Sequence, residues 1–132
     1  MRKSELRVAD IMSTALVTVR ASETITSANA EMQVGVIRHL PVVDDRGHLI
    51  GVLSDRDLLH TRGTKRIVDV MTKDVVTVRP DAFAAEAASI MLDHKISSVL
   101  VVDDNGALVG MVTQTDYLDL ARRSLLGLPL ER

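Results

Sequence analysis

The sequence predicts a mixed α/β (α+β) protein built from two copies of one β-α-β-β-α unit. The first observation is an internal repeat, because Asp44, Gly47, Gly51 and Asp57 each have an identical residue 59 positions later. The second is that the strand-like runs are apolar without clean alternation, which indicates sheets covered on both faces. The third is an apolar content of 46%, which favours a folded core over disorder.

The first copy shows its elements in chain order. A β-branched run predicts a strand, apolar residues at helical spacing predict a helix, two apolar runs around a turn predict a hairpin, and a serine begins a second helix. These are the strand Leu16–Val19, a helix with Ser22 as N-cap, Ile25, Ala28 and Met32 buried and Gly35 at its end, the hairpin strands Leu40–Val43 and Leu49–Leu53, and the helix after Ser54.

The second copy repeats this plan, so the copies are placed at residues 8–60 and 67–122. Its elements are the strand Val75–Val78, a helix with Asp81 as N-cap and Ala84, Ala87 and Met91 buried, the strands Val99–Val102 and Leu108–Val112, and the helix Gln114–Leu126 with Gly127 as its cap. The connector Thr61–Arg66 is polar and is interpreted as a solvated loop, although its three cations could also meet phosphates.

Length and composition limit the classes of function that the chain can have. A copy of about 60 residues could bury only roughly 60% of its surface, so the halves are expected to share a core in one compact module. A net charge of −2 gives no general attraction to nucleic acid, and the absence of cysteine excludes disulfides and thiolate metal sites. No segment reaches the ~18 apolar residues of a membrane span, and the N-terminus lacks the apolar run of a signal peptide, so a cytoplasmic protein is expected.

Three motifs recur in the same order in both copies. They are Asp10-Ile11-Met12 and Asp69-Val70-Met71, the turns PVVDDRG and LVVDDNG, and a closing Gly-x-x-Ser/Thr-x-x-Asp. From about Val8 to Leu120, the chain thereby resembles a stand-alone pair of CBS domains, the small domain named after cystathionine beta-synthase. The resemblance implies two units packed about a pseudo-two-fold axis, and a cleft between such halves is a favoured place for a ligand.

The closing motif, Ser54 to Asp57 and Thr113 to Asp116, has two interpretations. A Ser or Thr N-cap followed by an acid at the third helical position is close to a capping box, which explains the residues without any ligand. A helix N-terminus can also receive phosphate, and a carboxylate can accept two ribose hydroxyls. In CBS domains that bind adenosine nucleotides, the resemblance implies that the Asp holds ribose and the Ser or Thr contacts phosphate.

The resemblance also implies two unequal sites. Arg38-His39, which could equally be exposed polar residues, precedes the hairpin of the first copy, whereas the matching residues of the second copy, Ser97-Ser98, are uncharged. The stronger site is expected to contain Arg38, His39, Thr77, Thr113 and Asp116. The weaker site is expected to contain Thr18, Ser54, Asp57, Lys95, Ser97 and Ser98.

Metal binding and catalysis lack support in the sequence. Asp44-Asp45 and Asp103-Asp104 are ordinary turn residues without the spacing of a calcium loop, and the histidines show no paired ligand spacing. No nucleophile elbow, Walker loop or dinucleotide fingerprint is present. We therefore expect no enzyme activity, no metal and no cofactor other than a bound adenine nucleotide.

The sequence thus predicts a regulatory module that senses an adenosine-type ligand by shifting the packing of its two copies, with a regulated protein partner. It does not choose among AMP, ADP, ATP, S-adenosylmethionine and NAD. The alternative is a protein-interaction module whose clefts stay empty. A homodimer is expected, because CBS pairs commonly associate through their helices. Four leucines near the C-terminus either join that contact or dock on their own chain: Leu125, Leu126, Leu128 and Leu130.

Overall fold

The computed structural model describes residues 2–35, 38–59, 61 and 65–131. After a short 3-10 turn at Lys3–Glu5, the elements in chain order are α1 (Val8–Ile11), β1 (Val19–Arg20), α2 (Ile25–Gly35), β2 (His39–Val43), β3 (Leu49–Ser54), α3 (Asp55–Leu59), α4 (Ile67–Val70), β4 (Thr77–Val78), α5 (Ala84–His94), β5 (Ser98–Val102), β6 (Leu108–Thr113) and α6 (Gln114–Leu126).

The predicted α+β class with a repeated β-α-β-β-α order is confirmed. Each copy forms a three-stranded sheet, in the order β1-β2-β3 or β4-β5-β6. The first strand pairs in parallel with the second, with Val19 opposite Val42 and Thr77 opposite Leu100. β2 and β3 form an antiparallel hairpin. A parallel pair needs a long crossover connection, and α2 or α5 supplies it in each copy.

Some element boundaries differ from the prediction. β1 and β4 contain two residues each, because they lie at a sheet edge and only that part of each apolar run pairs with its neighbour. Ser22 and Asp81 are not the N-caps. Each lies in a turn closed before its helix begins, with the Glu23 amide donating to the Arg20 carbonyl in the first. The short helices α1 and α4 are missing from the prediction because four residues are too few to show helical periodicity.

The helix caps that do form are local. Thr24 Oγ1 accepts the Ser27 amide at 3.3 Å, which makes Thr24 the cap of α2. Phe83 is the N-cap of α5 and makes no side-chain capping bond. The predicted bounds of α6 and its C-terminal cap at Gly127 are confirmed.

The chain divides into two compact units, and neither consists of one sequence copy alone. The first unit contains Met1–Leu16, Val76–Asn105 and Val109–Arg132, and the second contains Val17–Val75 and Gly106–Leu108. Consequently α1, which begins the first copy, packs with elements of the second copy, whereas α4, which begins the second copy, packs with elements of the first. We call the segment that contains α1 or α4, together with the residues just before it, the lead-in segment of its copy. Each lead-in segment belongs to the unit that is formed mainly by the other copy.

In the first unit, the lead-in segment is fixed by backbone hydrogen bonds and by apolar burial. The Val8 amide donates to the Ala82 carbonyl at 2.8 Å, and the Ala84 amide donates to the Leu6 carbonyl at 2.8 Å. These bonds place the lead-in against the start of α5. The buried core consists of Leu6, Val8, Ile11, Val78, Ala84, Ala87, Met91, Val99, Val101 and Val112.

The second unit repeats this arrangement with the connector. The Ile67 amide donates to the Glu23 carbonyl at 2.9 Å, and the Ile25 amide donates to the Lys65 carbonyl at 3.1 Å. Lys65 and Arg66 are exposed, while the other connector cation, Arg62, lies outside the described residues. The core contains Val19, Ala28, Met32, Leu40, Val42, Leu53 and Ile67. The predicted burial of the six matched residues on α2 and α5 is confirmed.

Tyr117 gives a prediction of its own. Its hydroxyl donates to the Ala84 carbonyl at 2.6 Å, and burial, with the nearby Asp116 carboxylate, raises its pKa to about 12. Because the folded pKa lies above the ordinary value of about 10, the corresponding stability is complete below pH ~10 and is lost as the pH rises through about 12.

Tyr117 is the only tyrosine, so its ionisation can be followed directly by ultraviolet absorbance. We expect a midpoint near pH 12 in the folded protein and near pH 10 in urea. A single midpoint near 10 under both conditions would contradict the burial argument. Tyr117→Phe is the control, since its melting temperature should fall less steeply above pH 10.

Candidate functional site

In both copies the last strand runs directly into a helix, and the closing motif lies at that junction. At the start of α6, the Thr113 amide donates to Asp116 Oδ2 at 2.7 Å and the Asp116 amide donates to Thr113 Oγ1 at 3.4 Å. At the start of α3, the Ser54 amide donates to Asp57 Oδ2 at 2.8 Å and the Asp57 amide donates to Ser54 Oγ at 3.2 Å. The capping-box interpretation is thus confirmed for both motifs.

The first amide of each of these helices is also occupied. The Asp55 amide donates to the Arg38 carbonyl at 2.9 Å, and the Gln114 amide donates to the Ser97 carbonyl at 3.0 Å. At both helix starts, this backbone amide thus donates to the carbonyl of the residue that precedes β2 or β5. A phosphate at either junction would depend mainly on side chains, and the helix N-terminus alone is a weaker argument for phosphate than the sequence suggested.

Each unit brings one set of candidate residues to one end of its sheet. In the second unit, His39 lies opposite Ser54 in the β2–β3 ladder, so both side chains are on the same face. Arg38 is held beside the start of α3 by its carbonyl, and both Arg38 and His39 are exposed. Thr18 is exposed and directly precedes β1.

The first unit holds the matching set. Ser97 and Ser98 lie at the start of β5, next to the junction of β6 with α6. Thr77 is exposed on β4. Lys95 ends α5 with a left-handed backbone conformation, φ 55°, and its amide donates to the carbonyls of that last helical turn. Both predicted ligand groups draw residues from both units, so their composition stays a prediction.

Two residue pairs near these junctions escaped the sequence analysis. A Cβ atom added to Gly51 would lie 2.7 Å from Met71 Sδ, and one added to Gly110 would lie 2.6 Å from Met12 Sδ. The methionine of each Asp-x-Met motif thus covers the glycine three residues before each capping Ser or Thr. The 59-residue repeat of both motifs was the available signal, but only the fold shows that they touch.

The paired aspartates at the hairpin turns have a structural role. Asp44 Oδ1 accepts the amides of Arg46 and His48, each at 2.9 Å, and Asp103 Oδ1 accepts the Asn105 amide at 2.9 Å. The His48 amide is the main cause of the lowered pKa of Asp44. Within the described residues, no group of three His, Asp or Glu side chains is placed to hold a metal ion. His60 lies outside the described residues.

Among the described residues, none of the helices combines the length and the apolar character that a bilayer crossing requires.

Comparison with known families decides the identity of the repeat. The family model described as "CBS domain" matches residues 8–63 and 67–123. The chain belongs to the CBS domain family. CBS-domain pairs are typically regulatory modules, and the CBS domain itself is not catalytic.

Solved CBS structures resemble this chain over most of its length. The CBSX2 protein in complex with AMP gives a TM-score of 0.83 at 29% identity, covering 91% of this chain and 98% of that one. The CBS pair of protein MJ0100, in complex with 5′-methylthioadenosine and S-adenosyl-L-methionine, gives a TM-score of 0.79 at 32% identity, covering 89% of this chain and 97% of that one. The cytosolic domain of the Mg²⁺ channel MgtE, in complex with ATP, gives a TM-score of 0.81 at 35% identity, covering 87% of this chain and 48% of that one.

Several relatives are much longer proteins. The chain spans 17% of the inosine-5′-monophosphate dehydrogenase of Nitrosopumilus maritimus, which is 42% identical over 80 residues, or 61% of this chain. In such relatives the matching segment is one part of a larger enzyme.

Proposed function

We propose that this CBS pair is a regulatory module that binds an adenosine-type ligand. The observation that carries the proposal is the repeated capping box, Ser54 with Asp57 and Thr113 with Asp116, in a family whose similar solved members hold AMP, ATP, S-adenosylmethionine or methylthioadenosine. Each box presents a carboxylate and a hydroxyl side by side, which suits a ribose and the group attached to its 5′ carbon.

In this proposal the carboxylate of whichever box holds a ligand accepts ribose hydroxyls, and the Ser or Thr hydroxyl of that box contacts phosphate. Arg38 supplies a charge for a phosphate and His39 a ring N–H donor, whereas Ser97 and Ser98 supply only hydroxyls, with Lys95 as a partial offset. Binding changes the output by population shift: the ligand favours whichever arrangement of the module binds it better, and a protein partner responds if it distinguishes the arrangements.

A thermal-shift panel tests the proposal. The test ligands are AMP, ADP, ATP, adenosine, methylthioadenosine, S-adenosylmethionine and NAD, and GMP and CMP are the matched controls. A native-state ligand at 100 times its Kd adds about 2.7 kcal/mol to stability, which corresponds to several degrees in Tm. A flat response to the whole panel would favour the alternative, a protein-interaction module with empty clefts.

The grouping of the phosphate-binding residues has a separate test. The prediction assigns Arg38 and His39 to the ligand held by Thr113 and Asp116, yet within the second unit they lie beside Ser54 and Asp57. A charged hydrogen bond contributes about 1.5–3 kcal/mol. Arg38→Ala should therefore lower the affinity for AMP about tenfold or more and the affinity for adenosine only slightly. If this loss persists in Asp57→Asn and vanishes in Asp116→Asn, the predicted grouping is correct, and the reverse pattern refutes it.

We also propose a homodimer formed through α6. Leu125 is 87% exposed, and Leu118, seven residues earlier on the same helix face, is exposed as well. Two antiparallel copies of α6 would place Leu118 of one against Leu125 of the other, which satisfies the symmetry of an isologous dimer. Leu126 and Leu128 are exposed too, whereas Leu130 packs on the core of its own unit.

Light scattering tests this dimer. The wild type at micromolar concentration is expected at twice the monomer mass of 14.4 kDa. Leu125→Lys should give monomers, because it buries a charge in an apolar contact. Leu59→Lys is the matched control, since Leu59 is an exposed leucine on the short helix α3. Monomeric wild type, or equal effects of both substitutions, would contradict the proposal.

A cytosolic location is proposed as well, in keeping with the cytosolic MgtE domain.

A further inference from the structure

The two capping boxes, which look equivalent in the sequence, differ in how accessible the carboxylate is. Asp116 is buried, with 7% of its surface exposed, whereas Asp57 at the matched position is only half-buried. A ribose hydroxyl must reach a carboxylate oxygen to donate to it, so burial alone favours Asp57 as a ribose acceptor.

The hydrogen bonds of the two hydroxyls differ in the same direction. Thr113 Oγ1 lies 3.2 Å from Asp116 Oδ2 and donates to it, so Asp116 Oδ2 accepts both the amide and the hydroxyl of Thr113. Asp57 Oδ2 accepts the Ser54 amide, and within the described residues the Ser54 hydroxyl is bonded only as an acceptor, from the Asp57 amide. The Thr113 hydroxyl must therefore give up an internal hydrogen bond before it can donate to a ligand, whereas the Ser54 hydroxyl need not.

The free energy needed to break such an internal hydrogen bond reduces the free energy of binding. A box with an accessible carboxylate and a hydroxyl proton that is not already used therefore binds a ligand more tightly. We propose that Asp57 is the carboxylate that holds the ribose diol of an adenosine-type ligand, with the Ser54 hydroxyl free to donate to the ligand, and that Asp116 serves as a buried cap of α6. This inference rests on the proposed function and specifies which copy recognises the nucleoside.

The test is calorimetry with adenosine, which carries the ribose without a phosphate, and with AMP in parallel. Asp57→Asn and Asp116→Asn are the variants, because Asn keeps one carbonyl oxygen for the cap while it removes the charge and replaces the other acceptor oxygen by an NH2 donor. We expect Asp57→Asn to weaken adenosine binding about tenfold or more and Asp116→Asn to change it less than threefold. Asp116→Asn should lower the melting temperature more than Asp57→Asn.

The ligand 2′,3′-dideoxyadenosine separates direct contact from a structural effect. It should bind wild type about as weakly as adenosine binds Asp57→Asn, and Asp57→Asn should weaken it little further. Loss of adenosine binding in Asp116→Asn with Asp57→Asn unaffected, or equal losses in both, overturns the inference while leaving the proposed function in place. Absence of binding by adenosine, AMP and the rest of the panel overturns the proposed function and this inference together.

Discussion

Leu53→Ala is expected to lower the free energy of unfolding by about 2–5 kcal/mol. Leu53 is fully buried, at 0% exposure, in the core of the second unit, where it lies opposite Leu40 in the β2–β3 ladder. The substitution removes apolar burial and leaves a cavity that β-sheet neighbours cannot readily fill. Because a protein of this size has only about 5–15 kcal/mol of stability, such a loss is a large part of the total.

Urea denaturation measures this loss, and Leu59→Ala is the matched control. Leu59 is also a leucine of the second unit but is 75% exposed on α3, so its truncation should change stability by no more than about 0.5 kcal/mol. Similar losses for both variants would mean that the core of the second unit does not lie where the structure places it.

The second large effect is expected at Gly51. An added Cβ would lie 2.9 Å from the carbonyl oxygen of Thr72 and 2.7 Å from Met71 Sδ. That oxygen belongs to a fixed backbone contact, since it accepts the Val52 amide at 2.9 Å while the Thr72 amide donates back to the Val52 carbonyl. Gly51→Ala should therefore destabilise by about 1–3 kcal/mol, as overpacking does in other cores.

A double-mutant cycle with Met71→Ala separates the two contacts of the added methyl group. Removing the sulfur relieves one contact and leaves the backbone contact, so the cost of Gly51→Ala should fall in the Met71→Ala background without vanishing. Unchanged stability in the Gly51→Ala single variant would show that the Asp-x-Met segment does not cover this glycine.

Sequence reasoning predicted the repeated elements because each follows from local chemistry. The hairpins follow from apolar runs around Asp-rich turns, and α6 follows from its Thr113 cap and Gly127 end. The capping boxes at Ser54 and Thr113 follow from the spacing of hydroxyl and carboxylate. The pseudo-two-fold arrangement and the composition of the two ligand sites stay predictions.

Two features depend on tertiary contacts and could not be read from spacing. The exchange of α1 and α4 between the copies rests on backbone bonds such as Val8 to Ala82 and Ile67 to Glu23, which link segments far apart in sequence. The different accessibility of Asp57 and Asp116 is the second. The closing motifs place a carboxylate at the same position in both copies, whereas burial and one additional hydroxyl bond make the two carboxylates unequal.

The most direct test of the central claim, adenosine-ligand binding by this CBS pair, is calorimetric titration of AMP into the wild type and the Asp57→Asn/Asp116→Asn double variant. We expect saturable binding by the wild type and a loss of affinity of about tenfold or more in the double variant, with both proteins folded at the measuring temperature. Absence of saturable binding by the wild type, or equal affinity of the two proteins for AMP, would contradict it.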